Sequence, residues 1–209
     1  MKVVLTGFEP FGGDHTNPSW DAVQQVIPTG YELVTAELPC SFEQSIPALR
    51  ALVVEHRPDV VICVGQAGGR SAITPERVAI NLDDARIPDN AGFQPIDEPV
   101  VPDGPAAYFT TLPVKACVAA LREAGIPAAV SHTAGTFVCN HIFYGLMHLV
   151  ATEHPNTRAG FVHVPYAPDQ GHTDAPSLPI PTMAEALAKI ITTTLTTQTD
   201  LPTTAGTLH

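Results

Sequence analysis

A chain of 209 residues with 44% hydrophobic content is long enough for one well-cored globular domain. Its formal net charge of −11, with only ten Lys and Arg and no cluster of them, excludes general affinity for nucleic-acid phosphates. The 21 prolines and 15 glycines are dispersed, so they punctuate loops and do not mark a disordered tract.

After Lys2 the chain runs through Val3-Val4-Leu5 and turns polar at Thr6, an apolar segment too short for a secretory signal. No later apolar run, Val60 to Val64 included, approaches the roughly 20 residues of a membrane span. A cytoplasmic location is expected, with neither a membrane nor a nucleic acid as partner. Residues 2–6 predict a buried strand ending at Gly7, and residues 7–18 a loop carrying Phe8, Phe11 and Gly12-Gly13. Ser19 is expected to cap a helix that begins at Trp20 and carries Val23, Val26 and Ile27. Residues 31–38 predict a second strand. Ser45 is expected to cap the next helix, with Pro47 in its first turn and Ile46, Leu49, Leu52 and Val53 at helical spacing. The nearly all-apolar run 59–64 has the pattern of a central parallel strand covered on both faces. It leads into Gly65-Gln66-Ala67-Gly68-Gly69.

Residues 78–82 predict a further strand, and 83–105, rich in Pro, Asp and Gly, a long loop or irregular hairpin. A helix is expected over 114–123, stopping at Gly125, and a short strand over 128–131. Residues 138–152 predict a helix apolar nearly all round, 161–164 the last central strand and 183–197 the last helix. Strands alternating with helices predict an α/β fold: a three-layer α/β/α sandwich around a mostly parallel twisted sheet, in a single domain. That domain covers residues 1–197, and 198–209 are expected to fray. Ligands of such folds bind outside the carboxyl ends of the strands, where the loops 7–18, 65–69, 133–137 and 165–170 fall.

The four cysteines, Cys40, Cys63, Cys117 and Cys139, form no Cys-x-x-Cys pair, so four free thiols are expected. Cys139 falls in the first turn of a helix, after the small-residue turn Thr133-Ala134-Gly135-Thr136. Unpaired N–H groups and the helix dipole there favour thiolate over thiol and offer a site for an oxyanion, so a lowered thiol pKa is expected. A buried structural thiol is the competing reading. His163, at the end of an apolar strand, reads either as a satisfied core residue or as a general base. Glu76 either pairs with Arg77 in solvent or orients that imidazole. The histidines are scattered without a His-x-x-x-His pair, so neither a metal nor another cofactor is expected. The segment from Gly65 to Arg70 has the form of an anion nest. It keeps open a phosphate-dependent nucleoside-processing enzyme, in which Cys139 has no role. An inactive binding module of the same fold is a third reading.

Four segments together resemble the pyroglutamyl peptidase I (pyrrolidone-carboxylate peptidase) family of cysteine peptidases. Thr6-Gly7-Phe8-Glu9-Pro10-Phe11-Gly12-Gly13 with Asn17-Pro18-Ser19 is similar to its opening signature, and Pro75-Glu76-Arg77-Val78-Ala79-Ile80-Asn81 to its glutamate motif. Ala134-Gly135-Thr136-Phe137-Val138-Cys139-Asn140 resembles its cysteine motif. His163-Val164-Pro165-Tyr166, followed by Pro168-Asp169-Gln170, resembles its histidine motif. The resemblance spans about residues 1 to 195. It implies an exopeptidase that removes amino-terminal pyroglutamate, with Cys139 as nucleophile, His163 as base and Glu76 as the orienting carboxylate. Arg86 matches the family's arginine near the oxyanion. Phe8, Phe11, Phe137 and Val138 match its apolar pocket, and Asn17 and Gln66 its polar substrate contacts. It also implies a cytoplasmic, cofactor-free homotetramer. His132-Thr133 departs from the Asn/Asp pair common at that place, and the chain past Thr197 follows no family pattern.

Overall fold

The computed structural model describes residues 1–206. In chain order its elements are β1 (Lys2–Phe8), α1 (Pro18–Gln24), β2 (Glu32–Leu38), α2 (Phe42–His56), β3 (Val60–Gln66), β4 (Thr74–Pro75) and β5 (Val78–Ile80). There follow β6 (Ala107–Phe109), α3 (Val114–Glu123), α4 (Val138–Thr152), β7 (Arg158–Val164), a 3-10 turn at Pro168–Gln170 and α5 (Ile180–Thr196). The central sheet has the order β2-β1-β3-β7-β4, and β5 and β6 form a separate antiparallel pair. The four long strands are parallel, and β4 runs antiparallel to β7 at the edge.

Alternation along the strands divides the core in two. Val3 and Leu5 of β1, with Val60, Ile62 and Val64 of β3, pack on one face against α1, α3 and α5. Val4, Val61, Cys63 and Phe161 pack on the other face against α2 and α4. Every residue of β3 is buried, as an all-apolar central strand covered by helices requires. The expected three-layer, mostly parallel α/β architecture is the one observed. The chain's own elements also account for the apolarity of α4: α2, the sheet and the β5–β6 pair all pack against it. Gly145 lets α2 approach so closely that a Cβ there would stand 2.4 Å from Ile46 Cδ1. The composition of α4 therefore carries no argument for a partner subunit.

Several elements differ from expectation, each for a reason outside its own sequence. Helix α2 starts at Phe42, not near Ser45, because the Asp89 carboxylate accepts the Phe42 N–H at 2.8 Å from a distant loop. Pro47 consequently lies inside the helix, where the Glu43 carbonyl loses its usual donor. Residues 128–131 run beside β4 through isolated parallel bridges, Ile73 to Ala128 and Glu76 to Ser131, and form no ladder of their own. The 83–105 stretch is an irregular hairpin pinned by the Asp83–Glu98 bridge. The start of the tail makes hydrogen bonds with the body of the domain. Asp200 accepts the N–H groups of Lys115 and Ala116 at 3.1 and 2.9 Å, satisfying the amino terminus of α3, and the Ala205 carbonyl meets His132 Nε2 at 3.1 Å. The expected fraying of 207–209 lies outside the described residues.

Candidate active site at the carboxyl ends of the strands

The strand order places β1, β3 and β7 side by side, so their carboxyl ends share one edge of the sheet. In β7, alternation points Phe161 and His163 to the α4 face, with their rings 4.8 Å apart. Register sets His163 opposite Gly65 of β3. Glu76 follows β4, and its N–H donates to the Phe161 carbonyl at 2.9 Å, which brings the carboxylate under the imidazole. Glu76 Oε1 lies 2.7 Å from His163 Nδ1, and both side chains are almost fully buried. With a carboxylate as acceptor, Nδ1 carries the proton and Nε2 presents a lone pair.

Arg70, read from sequence as part of an anion nest, is turned inward instead. Its guanidinium donates to Glu76 Oε1 and to Thr74 Oγ1, each at 2.6 Å, and to the Thr133 carbonyl at 2.9 Å. Burial pushes the Glu76 carboxyl up. The hydrogen bond and charge of His163, the charge of Arg70 and the Ser131 hydroxyl more than offset this, so Glu76 stays below its ordinary range. His163 is held below the usual imidazole range, because burial, with help from the Arg70 charge, outweighs what Glu76 contributes. The result is a neutral imidazole above a charged carboxylate.

Cys139 occupies the first turn of α4, which begins at Val138 after Phe137. Among the described residues the N–H groups of Val138, Cys139 and Asn140 have no acceptor, as expected of a helix start without a side-chain cap. The Sγ atom lies against Gly65: a Cβ built there would stand 2.7 Å from Sγ and 2.8 Å from Phe161 Cζ. The thiol therefore reaches the sheet face at the residue paired with His163. The expected lowering of its pKa is not found. Burial pushes the Cys139 thiol well up, Cys40, Glu76 and Cys63 add to the rise, and Arg70 opposes it only in part. The helix N-terminus is outweighed because the sulfur sits in the sheet–helix seam.

The remaining candidates divide into two groups. Phe11 and Phe137 face each other at 6.1 Å and 34°, and Phe42 meets Phe137 edge-on at 5.3 Å. Arg86 is exposed and shares an open cleft of about 450 Å³ with Ile87, Gly135, Thr136 and Phe137. Gln66 ends β3, where its amide meets Gln170 at 2.8 Å and Asp14 at 3.4 Å. Phe8 and Val138, by contrast, are core residues at 2% and 1% exposure. Asn17 is committed to its own loop: it caps α1 through Ser19 and donates to the Glu9 carbonyl. A larger groove, about 650 Å³, runs between α3 and α5 away from these residues, and Ala120, Ala188 and Thr192 help line it. Among the described residues no three His, Cys, Asp or Glu side chains converge as metal ligands, and no helix is long and apolar enough to cross a membrane.

A family model described as pyroglutamyl peptidase matches residues 1–197. The chain is 59% identical to a pyrrolidone-carboxylate peptidase of Streptomyces coelicolor, with 100% of the chain and 99% of that protein covered. It is 50% identical to one from Bacillus cytotoxicus, with 99% of each covered. The crystal structure of the pyroglutamyl peptidase I from Bacillus amyloliquefaciens matches with a TM-score of 0.95 at 50% identity, covering 97% of this chain and 99% of that one. A mutant pyrrolidone carboxyl peptidase from the hyperthermophile Pyrococcus furiosus matches with a TM-score of 0.90 at 41% identity, covering 93% and 98%.

Proposed function

The chain belongs to the pyroglutamyl peptidase family of cysteine peptidases, and on that premise we propose that it removes amino-terminal pyroglutamate with Cys139, His163 and Glu76 as its working groups. The observation that carries this reading is the position of Cys139 Sγ against Gly65, the register partner of His163. Because thiol and imidazole are both neutral at rest, the proton moves as the bond forms. Sγ attacks the pyroglutamyl carbonyl carbon while His163 Nε2 takes the thiol proton, and Glu76 stabilises the imidazolium. The oxyanion meets the free N–H groups at the start of α4, with the Arg86 charge close by. His163 then returns the proton to the leaving amine as the C–N bond breaks, leaving a thioester. Water, deprotonated by the same imidazole, cleaves the thioester and frees 5-oxoproline.

Pyroglutamate is a flat neutral lactam, and the Phe11–Phe137 pair offers it two apolar faces. A free amino terminus in that pocket would bring an unpaired ammonium, at a cost of several kcal/mol, roughly the desolvation penalty of a buried charge. A phosphate-binding role for 65–70 draws no support, since Arg70 is taken by Glu76, Thr74 and Thr133. The test is hydrolysis of a pyroglutamyl fluorogenic amide beside its prolyl and glutamyl counterparts. Only the first should be cleaved, and Cys139→Ala should abolish the cleavage. Turnover of the prolyl amide at a comparable rate, or an active Cys139→Ala variant, defeats the proposal.

A further inference from the structure

Arg86 has no hydrogen bond or ion pair among the described residues, yet the backbone just ahead of it is tied at several points. Asn140 Oδ1 accepts the Ile80 N–H at 3.0 Å, and Asn140 Nδ2 donates to the Ile80 and Leu82 carbonyls at 2.9 and 3.0 Å. His141 Nδ1 meets Asp83 Oδ2 at 2.7 Å. The Asp84 N–H donates to the Thr136 carbonyl at 3.0 Å, and Thr136 Oγ1 returns a bond to the Asp84 carbonyl at 2.8 Å. The Ala85 N–H and carbonyl are held by Pro95 and Gln94. Ile80, Leu82, Asp83 and Asp84 are thus fastened to the turn or the first helical turn that carries Cys139, and Ala85 to the hairpin at 94–95.

One of these ties is expensive. Asp83 and His141 are 5% and 7% exposed, and each keeps one buried polar atom without a partner, Asp83 Oδ1 and His141 Nε2. Apolar side chains of similar volume in such a place are often no less stable than a buried polar pair with unpartnered atoms, so stability does not account for it. Fixed geometry does. A side-chain bond between α4 and the segment ahead of Arg86 sets where that segment lies relative to the helix start. His141 is itself braced, edge-on to Phe42 at 5.3 Å.

We propose that the Asp83–His141 pair is a positioning device that holds Arg86 against the amino terminus of α4, where negative charge develops during the reaction. This rests on the reading of Arg86 given above, and the test separates the two. Steady-state kcat and KM on a pyroglutamyl amide are measured for His141→Phe, Asp83→Ala and Asp83→Asn, each alone and combined with Arg86→Ala. His141→Phe and Asp83→Ala should lower kcat about tenfold with KM nearly unchanged, since misplacement of a transition-state group spares ground-state binding. Asp83→Asn keeps an acceptor for Nδ1–H and should stay within about threefold of the parent. In the Arg86→Ala background His141→Phe should cost less than about a further twofold, because the group it positions is gone. If one breaking variant fails to fold, the other carries the same cycle. Losses that multiply in full with Arg86→Ala, an effect on KM alone, or Asp83→Asn as slow as Asp83→Ala each overturn the device. Arg86→Ala with the parent kcat overturns the reading of Arg86 itself, and the device with it.

Discussion

Glu76 and His163 are fixed before any substrate arrives by sheet hydrogen bonds, their own contact, the Arg70 guanidinium on Glu76 Oε1 and the Phe161 ring. The buried Glu76 Oε2 has no hydrogen-bond partner among the described residues. Among the described residues the Arg86 side chain and the N–H groups that open α4 have no partner. In the proposed reaction the half that would handle the proton is already oriented at rest, because a tautomer and a lone-pair direction must be set in advance. The half that would meet negative charge is held through the backbone ahead of it and left unpaired in its donors, because in that reaction its acceptor would exist only once the substrate reacts. A group with a resident partner is read directly from the distances. A group without one is read from what has been done to hold it still.

The widest contrast between the halves should appear on breaking the finished one. Glu76→Gln keeps the shape but frees the His163 tautomer and removes the charge beneath it, so kcat should fall by about 10³- to 10⁴-fold with little change in KM. A loss below tenfold would mean that Arg70 and packing suffice to orient the ring. Arg86→Ala should cost less, about 10²-fold in kcat, as for removal of one oxyanion donor. The fold should survive it, and a loss confined to KM would make Arg86 a ground-state contact.

Acid probes the finished half without mutation. His163 and Glu76 are both held below their ordinary values, 6.5 and 4.5, so the folded state binds fewer protons than the unfolded chain as pH falls. Their contribution to stability is therefore complete above pH 6.5 and is lost on acidification, first through His163 and then through Glu76. The acid limb of kcat/KM should lie below 6.5 for the same reason. A limb above that value would contradict the depression of His163. The smallest effect belongs to a region remote from both halves. Asp200→Ala should lower stability by about 1 kcal/mol through the lost cap of α3, read as a drop in Tm at unchanged kcat.

The layered architecture was legible because each long strand carries its own apolar pattern, and Cys139, His163 and Glu76 were singled out by the family-like motifs they stand in, which the fold brings to neighbouring strand ends. What escaped were relations between segments. Arg70 follows two glycines and looks like part of a nest. Only the fold shows its guanidinium turned in toward Glu76. Asn17 and Phe8 share a motif with Phe11, yet Asn17 caps α1 and Phe8 lies in the core against Phe161, while the Phe11 ring packs on Phe137. Ser45 looked like a helix start because Pro47 fits a first turn, whereas the real start depends on Asp89. The expected thiolate failed in the same way: a helix N-terminus is visible in sequence, and the sheet face that covers it is not.

The bare Cα of Gly65 is the floor beneath the Cys139 sulfur. With the thiol protonated at rest, its reactivity toward added reagents is governed by the shape of that recess as well as by acidity. Cys40, Cys63 and Cys117 lie fully inside the core, their thiols pushed up to about 12, and offer an electrophile no such opening. An inhibitor for this protein is therefore better chosen by contour than by electrophilic strength. If the proposed specificity holds, a flat, neutral five-membered ring that carries a mild warhead on its carbonyl side should reach one sulfur out of four, and a hotter but bulkier alkylator should not.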